Sequence, residues 1–199
     1  MTFLLSPARP AIDLDLKGQD VFLRAPAMGD YAAWAELRAN SRAELMPYEP
    51  AWALDELSRA GFKHRLKHYS REAAQDLGYA FFVFDRTGAR LMGAITLSNV
   101  RRGVAQAAHV GYWMGTDATK RGHMTEALGL VAQLAFRTLR LHRLEAGCVP
   151  DNQASIRVLE KCGFQREGLA RRYLRINGTW QDHFLFARLS DDTGSEVVS

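Results

Sequence analysis

The stretch "HVGYWMGTDATKRGHMTEAL", residues 109–128, joins two patterns of different period. Its first part, His109 to Gly115, is rich in aromatic and β-branched residues and ends at a glycine, which is typical of a half-buried strand. From Met124 to Leu139, apolar residues recur at helical spacing. The sequence therefore predicts a strand, a tight loop and the first turn of a helix.

The loop between these two elements has the features of an anion-binding site. The first amides of a helix have no partner within the helix, and the helix dipole places partial positive charge at the same end. Gly122 lets the backbone approach a ligand closely, Thr125 places a hydroxyl in the first helical turn, and Lys120 and Arg121 add charge. These features favour a diphosphate ligand; the alternative is an ordinary turn whose basic side chains are solvated.

The length and composition indicate a single domain. With 199 residues, 47% of them hydrophobic, we expect a single domain over residues 1–199 with its core at about 21–189. The first 18 residues contain only a three-residue apolar run, so we expect neither a signal peptide nor a membrane span. Cys148 and Cys162 lack a metal or CxxC spacing, which favours free thiols and a cytoplasmic protein. The net charge of +4 favours anionic ligands without indicating a dedicated nucleic-acid binder.

The remaining pattern alternates short strands and helices. We expect a strand at 18–26, a helix at 30–42 capped by Asp30, a structured aromatic loop at 41–52 and a helix over Leu54 to Tyr69. Strands follow at 79–85, 90–100 and 105–115, then the central helix, a strand at 142–149, a helix from 151 or 152 to 163, and a hairpin turning at Asn177 and Gly178. The tail from residue 190 is polar, and we expect it to fray. This order predicts an α+β fold with a mostly antiparallel sheet.

Two long stretches carry a family resemblance. "GYWMGTDATKRGHMTEAL" (111–128) and "VPDNQASIRVLEKCGFQREG" (149–168), with the order of elements, resemble the GNAT family of acyl-CoA-dependent N-acetyltransferases from about residue 21 to 189. "SRAELMPYEPAW" (41–52), "LSNVRRG" (97–103) and "YLRINGTWQDH" (173–183) are similar to ribosomal-protein-alanine N-acetyltransferases of the Rim type, which acetylate protein N-termini. The resemblance implies a twisted, mostly antiparallel sheet with a splayed strand pair, helices on both faces, and acetyl-CoA as cosubstrate.

The resemblance also implies which residues hold acetyl-CoA. The family loop, Gln/Arg-x-x-Gly-x-Gly/Ala, wraps the pyrophosphate; its anchors match Thr119, Gly122 and Met124, of which the first and last differ from the pattern. Main-chain N–H groups near Trp113 and Met114 would hold the acetyl carbonyl. The amide of Asn152 would bond the pantetheine arm or a neighbouring strand, or else cap its helix. The expected cofactor-binding residues are Trp113, Met114, Thr119, Lys120, Arg121, Gly122, His123, Met124, Thr125 and Asn152.

Protonation of the leaving thiolate requires a donor. The family often places a tyrosine seven residues after the Asn of the second stretch, but Leu159 stands there. Ser155, one turn earlier on the same face, is the hydroxyl that Rim-type enzymes offer instead, so we take it as the candidate acid. The alternative is a serine that only hydrogen-bonds its local backbone. For Tyr112 and Trp113 we expect core packing rather than a chemical role for the side chains.

The general base has several candidates. Glu145 lies within a strand beside the predicted cleft and is the first of them; its alternative is a structural pairing with Arg143 or Arg157. Asp182 and His183 on the last strand are further candidates. The glutamate that Rim-type relatives carry after the second stretch is matched by Leu174. A peptide α-amine has a pKa of about 7.7–8.0, so a chain of water molecules would also suffice.

Three function hypotheses remain open at the level of sequence. The first is transfer of an acetyl group to a protein α-amine, such as that of a ribosomal protein beginning with alanine. The second is a small-molecule acetyltransferase for a polyamine or amino sugar, whose acceptor cleft would be lined by carboxylates. The third is a non-catalytic RNA-binding module using Arg171, Arg172 and Arg175. Metal binding is not expected, because His64 and His68 lack a third ligand. The predicted cleft residues are aromatic and basic: Trp34, Tyr48, Trp52, Arg101, Arg102 and Tyr173.

Overall fold

The computed structural model describes residues 14–192 and contains one eight-stranded sheet. The strand order across the sheet is β1-β2-β3-β4-β5-β6-β8-β7. Every neighbouring pair is antiparallel except β5 and β6, which run parallel. The strands are β1 (Leu16–Lys17), β2 (Val21–Arg24), β3 (Tyr79–Asp85), β4 (Leu91–Arg101), β5 (Ala107–Met114), β6 (Arg143–Cys148), β7 (Gln165–Ile176) and β8 (Thr179–Leu189).

Five α-helices connect the strands. They are α1 (Tyr31–Asn40), α2 (Arg42–Leu45), α3 (Arg59–Ala74), α4 (His123–Gln133) and α5 (Gln153–Lys161). Helix α4 continues into a π-helical turn at Leu134–Thr138, which carries the chain to the start of β6. The expected α+β fold, with a mostly antiparallel sheet and helices on both faces, is confirmed.

Two hydrophobic clusters occupy opposite faces of the sheet. The larger packs α4 and α5 against the central strands, through residues such as Ile95, Leu128 and Leu159. The smaller packs α1 and α3 against the other face, where Trp34 and Phe62 meet with ring centroids 4.7 Å apart. Strand β3 is buried on both faces, which explains its continuous apolar sequence "YAFFVFD".

Strands β5 and β6 part after three residue pairs. Pairing begins at Ala107 with Arg143 and ends at His109 with Glu145, although β5 continues to Met114 and β6 to Cys148. The strand edges beyond these pairs face each other without a ladder. The splayed strand pair expected from the resemblance is therefore present.

Two expected helix starts differ from the structure. Helix α3 begins at Arg59 rather than Leu54, because the Ser58 side chain accepts a hydrogen bond from the amide of Gly61 at 2.9 Å and caps the helix there. Leu54 is fully exposed in the preceding loop. Asp30 does not cap α1 with its side chain; its carboxylate instead bonds Arg24 at 2.6 Å and the amide of Ala27 at 2.7 Å.

The predicted hairpin turn is confirmed, whereas most of the predictions for the two termini fall on residues that the structure does not describe. Asn177 and Gly178 form the turn between β7 and β8 with φ of 42° and 81°, as the Asn-Gly pair predicts. The expectations for the first 13 residues, and for residues 193–199 of the tail, lie outside the described part of the chain.

Candidate active site

The loop from β5 to α4 presents a series of free amides. Lys120 and Gly122 both have positive φ, 63° and 86°, so the backbone coils tightly before α4 starts at His123. Within residues 14–192, no acceptor bonds the amides of residues 120–125, whereas the amide of Glu126 bonds the carbonyl of Gly122 at 3.0 Å. The helix has no side-chain cap at this end. The loop can therefore bind an anion that accepts hydrogen bonds from these amides.

The open edge of β5 also carries unpaired backbone groups. The amide of Gly115 bonds the carbonyl of Met92 on β4 at 2.8 Å, and Ala94 lies opposite Trp113. Because backbone groups alternate in direction along an antiparallel strand, the N–H of Trp113 points to β4 and that of Met114 to the opening. Of the two residues expected near the acetyl carbonyl, Met114 therefore presents its amide to the gap.

A pair of hydroxyls lies beside the opening on the α5 side of the sheet. The hydroxyls of Tyr112 and Ser155 are 2.9 Å apart, and the Tyr112 hydroxyl also donates to the carbonyl of Ser155 at 3.2 Å. Burial raises the pKa of Tyr112 above its usual value, against the opposing effect of the Ser155 hydrogen bond, so the phenol keeps its proton at neutral pH. The sequence predicted Ser155 as the candidate acid and core packing for Tyr112, and the Tyr112 side chain does pack against the larger hydrophobic cluster. The contact between the two hydroxyls was not predicted from the sequence.

The opposite face of the sheet holds a cavity of about 410 Å³ under the 41–52 segment. Gly111, Tyr112 and Trp113 of β5 form one wall. The remaining lining comes from α1, α3, β3, β4 and the loop: Trp34, Arg38, Glu49, Pro50, Ala51, Trp52, Glu56, Arg65, Tyr69, Phe82, Ala94 and Thr96. The cavity therefore lies directly beside the splayed strand, on the side away from Ser155.

Four ionised side chains in this cavity balance one another. The buried Arg38 holds Glu49 through two bonds of 2.6 and 2.7 Å, and Arg65 bonds Glu56 at 2.6 Å. Arg38 also stacks on aromatic rings, with its guanidinium 4.3 Å from the Trp52 ring centroid. The formal charge of the quartet is zero. The sequence did not single out Glu49, which lies in the predicted 41–52 loop, or Glu56, which was placed in the helix expected over Leu54 to Tyr69.

Of the residues predicted to line a cleft, Trp34 and Trp52 line this cavity, and two arginines do not. Arg101 lies at the far end of β4 and pairs with Glu145, and Arg102 bonds Asp76 at 2.7 Å and the carbonyl of Leu139. Neither lines the cavity, because Arg101 is the last residue of β4 and Arg102 follows it, beyond Ala94 and Thr96, the residues of β4 that form the cavity wall. Tyr48 is 40% exposed outside the cavity.

The 41–52 segment, expected to be a loop, contains α2 and a 3-10 turn at Met46–Tyr48, and its last part contacts the β7–β8 turn. The amide of Asn177 donates to the carbonyl of Glu49 at 2.9 Å, while the side chain of Glu49 is held by Arg38 and by the indole N–H of Trp52 at 2.8 Å. Glu49 therefore ties the hairpin to α1 through its own backbone and side chain. The two segments form an arch, which we call the Glu49–Asn177 arch.

Glu145 lies where β5 and β6 part, but its carboxylate is already occupied. It bonds Arg101, His109 Nε2 at 2.8 Å and Arg143 Nε at 2.9 Å. Partial burial alone would raise the pKa of Glu145, yet the hydrogen bond from Arg143 and the charges of Arg101 and His109 lower it. A carboxylate with a lowered pKa is a weak proton acceptor, so the geometry favours the structural alternative for Glu145, with Arg143 rather than Arg157 as a partner.

Asn152 and the thiols have structural contacts. The side-chain oxygen of Asn152 accepts the amide of Ser155 at 3.0 Å and caps α5, which leaves its NH₂ group for a ligand. Cys148 and Cys162 are free and buried, as expected for thiols. In the described residues no group of three or more His, Cys, Asp or Glu side chains is arranged to hold a metal ion. None of the described helices is long and apolar enough to cross a membrane.

An anion-binding loop and a splayed strand edge, with a hydroxyl pair on one face of the sheet and a cavity on the other, are the features of an acyl-CoA-dependent acyltransferase site. The sequence matches the Acetyltransferase (GNAT) domain family over residues 20–165. The chain belongs to this family and is an acetyl-CoA-dependent N-acetyltransferase.

Individual relatives agree over most of their length. The chain is 37% identical to the "Probable N-acetyltransferase YjcK" of Bacillus subtilis, covering 89% of this chain and 98% of the relative. It is 34% identical to the ribosomal protein uS5-alanine N-acetyltransferase of Escherichia coli, over 82% and 85% of the two chains. Among solved structures, RimJ of Mycobacterium smegmatis in complex with CoA-disulfide superposes with a TM-score of 0.85 at 30% identity, covering 91% and 90%.

Proposed function

We propose that this enzyme transfers the acetyl group of acetyl-CoA to the N-terminal α-amine of a protein, by direct attack in a ternary complex. The observation that carries the proposal is the acceptor cavity beside β5, roofed by the Glu49–Asn177 arch. A free chain terminus can enter such a passage as a single extended backbone. A lysine on the surface of a folded protein cannot, because the residues around it would collide with the arch. The similarity to uS5-alanine and RimJ acetyltransferases supports a ribosomal protein beginning with alanine as the acceptor.

In this proposal, acetyl-CoA lies across the splay between β5 and β6. Its pyrophosphate accepts hydrogen bonds from the backbone amides of the loop from Thr119 to Thr125, and Lys120 and Arg121 supply positive charge. The acetyl carbonyl accepts the amide of Met114, which stabilises the oxyanion as the carbonyl is attacked. The NH₂ group of Asn152 is placed to bond the pantetheine arm. Acetyl-CoA supplies the activated acyl group, and the cytoplasm is the compartment in which nascent ribosomal proteins meet it.

The leaving group departs toward the other face of the sheet. The acceptor amine enters from the cavity beside Trp113, while the Tyr112–Ser155 hydroxyl pair lies toward α5. As the C–S bond breaks, the sulfur takes the electron pair and receives a proton from this pair. The raised pKa makes the Tyr112 phenol a weaker proton donor than a free phenol, so we assign the proton transfer to the hydrogen-bonded pair, in which Ser155 can orient or relay the proton.

The carboxylates in the cavity can be compared with those expected if the acceptor were a small amine such as a polyamine. Glu49 and Glu56 line the acceptor cavity, and a polyamine site would present such groups with an excess of negative charge. Here each carboxylate is matched by Arg38 or Arg65, so the cavity offers a polycation no net attraction. This balance favours a peptide beginning with a small uncharged residue such as alanine, which brings only its α-amine as a cation to the reacting end of the cavity.

The test is an acceptor panel. The enzyme is incubated with acetyl-CoA and peptides that differ only in their first residue, together with free lysine and spermidine, and thiol release and product mass are measured. We expect the fastest turnover on alanine, a slower rate on serine and little on the free amines. Turnover on spermidine above that on the alanine peptide would refute the proposal.

A further inference from the structure

His183 is a buried titratable side chain on the acceptor side of the sheet. Only 2% of its surface is exposed, although it belongs to a strand with polar neighbours. Two ring and side-chain carbon atoms of His183 lie 3.6 and 4.0 Å from where a Cβ on Gly147 would stand. Gly147 is exposed on β6, past the last residue that pairs with β5. The imidazole therefore borders the opening, over the one position of β6 that has no side chain to cover it.

Strand register and alternation place His183 on the same face of the sheet as Trp113. Cys148, the last residue of β6, pairs with Phe184, so His183 is the next residue of β8 beyond that ladder, on the side where β5 and β6 have parted. His109 and Glu145 share a face, since they form an ion pair, and by alternation Trp113 and His183 lie on that same face. Trp113 of β5 and His183 of β8 thus lie on opposite sides of the opening, on the face of the sheet that carries the acceptor cavity.

One hydrogen bond determines which ring nitrogen of His183 carries the proton. Nδ1 lies 3.0 Å from the carbonyl of Gln181, and a carbonyl only accepts, so Nδ1 is the protonated nitrogen. The lone pair of the neutral ring then resides on Nε2. In the part of the chain that the structure describes, Nε2 has no hydrogen-bond partner. A histidine with its donor nitrogen anchored and its other nitrogen free is arranged to accept a proton.

Few charged groups face this imidazole. From β7 the Tyr173 ring packs edge-on against it, with centroids 5.7 Å apart. From β6 the facing residue is Gly147, and the nearest carboxylate on the same face of that strand, Glu145, is paired with Arg101 and Arg143. Asp182 on its own strand bonds the amide of Arg172 at 2.8 Å. Within the described residues, no carboxylate forms an ion pair with His183.

We propose that His183 is the general base of the acetyl transfer, an inference that rests on the proposed function. The acceptor nitrogen forms a bond to the thioester carbon and gives its proton to Nε2 of His183. The C–S bond breaks, and the sulfur receives its proton from the Tyr112–Ser155 pair on the other face. The imidazolium then releases its proton to water. Base and acid act from opposite faces of the sheet, so one group need not serve both halves of the reaction.

The test is the pH dependence of kcat in His183→Gln, measured at saturating acetyl-CoA and acceptor. Glutamine keeps polar atoms near the position of Nε2 but does not accept a proton at neutral pH. We expect kcat to fall about 100-fold, within the range of general-base contributions. The wild-type kcat should fall toward acid pH, and the variant should lack that decline. The exposed His142, which bonds Ser190 outside this site, supplies the matched control His142→Gln, and its profile should equal the wild type.

A second measurement separates a base from a structural role. His183→Ala, next to the uncovered Gly147, leaves a space that added imidazole can enter, and imidazole should restore turnover in proportion to its unprotonated form. Wild-type kcat and pH profile in His183→Gln, or loss of turnover in His183→Ala that imidazole does not restore, would overturn the proposal. If the wild type acetylates some other amine and no peptide, the proposed acceptor is refuted, and His183 is tested with that amine.

Discussion

The hydroxyls of Tyr112 and Ser155 lie 2.9 Å apart and link the splayed strand β5 to helix α5. The pair stands on the face opposite the acceptor cavity. In the proposed reaction the amine therefore approaches from one face of the sheet, and the thiol leaves toward the other.

Removal of either hydroxyl should slow the chemical step. We expect Ser155→Ala to lower kcat by about tenfold to several hundredfold and Tyr112→Phe by at least as much, with little change in acetyl-CoA affinity. Because the two act as one unit, the double variant should lose about as much as Tyr112→Phe alone. Steady-state kinetics and calorimetry provide the measurements, with Ser70→Ala on the exposed side of α3 as control. Additive losses would show that the hydroxyls act separately.

The loop at Gly122 should hold acetyl-CoA mainly through its backbone. Gly122 has φ of 86°, a conformation that a β-branched residue adopts only with strain, and a Cβ there would meet no atom within 4 Å. Gly122→Val should therefore weaken acetyl-CoA binding through backbone rearrangement, by more than Lys120→Ala does. Calorimetric titration checks this order. Equal losses, or a larger loss for Lys120→Ala, would mean that side-chain charge rather than backbone amides holds the cosubstrate.

Glu145 should affect stability rather than catalysis. Its pKa is lowered in the folded protein by Arg143, Arg101 and His109 despite partial burial, so its contribution is present above its unfolded pKa and is lost as the pH falls through the folded one. We expect Glu145→Gln to lower the free energy of unfolding by about 1 kcal/mol at pH 7, with a smaller difference near pH 3. Urea titrations at both pH values measure this. A large fall in kcat, with unchanged stability, would return Glu145 to the mechanism.

The Glu49–Asn177 arch should control the acceptor and not the cosubstrate. Glu49→Ala removes the partner of Arg38 and loosens the loop over the cavity, so the KM for an alanine peptide should rise while acetyl-CoA affinity stays unchanged. Glu44→Ala, on the exposed side of α2, is the matched control. If Glu49→Ala weakened acetyl-CoA binding and left the peptide KM intact, the assignment of the cavity to the acceptor would be wrong.

Much of the fold was predictable because local signals agreed with the tertiary structure. The apolar run of β3, the Asn177-Gly178 turn and the helical period after Gly122 each specify one element. The start of α3 was misplaced because a single side-chain cap at Ser58 outweighed a few apolar residues before it.

The candidate site was only partly predictable. Gly122 and Ser155 stand in stretches with local signatures, whereas Tyr112, Glu49 and Glu56 acquire their surroundings from residues distant in sequence. Tyr112 meets Ser155 across 43 positions, and the carbonyl of Glu49 meets Asn177 through a turn far along the chain. The role of Glu145 likewise depends on Arg101 and His109 of neighbouring strands.

The central claim is transfer to an α-amine, and one peptide tests it most directly. The enzyme is incubated with acetyl-CoA and a peptide that begins with alanine and carries an internal lysine, and fragmentation mass spectrometry locates the acetyl group. At subsaturating peptide, the rate of acetylation should rise through about pH 7–8 as the free α-amine loses its proton. The account predicts a single acetyl group on the N-terminal nitrogen. Acetylation of the lysine side chain in preference to the N-terminus would contradict it.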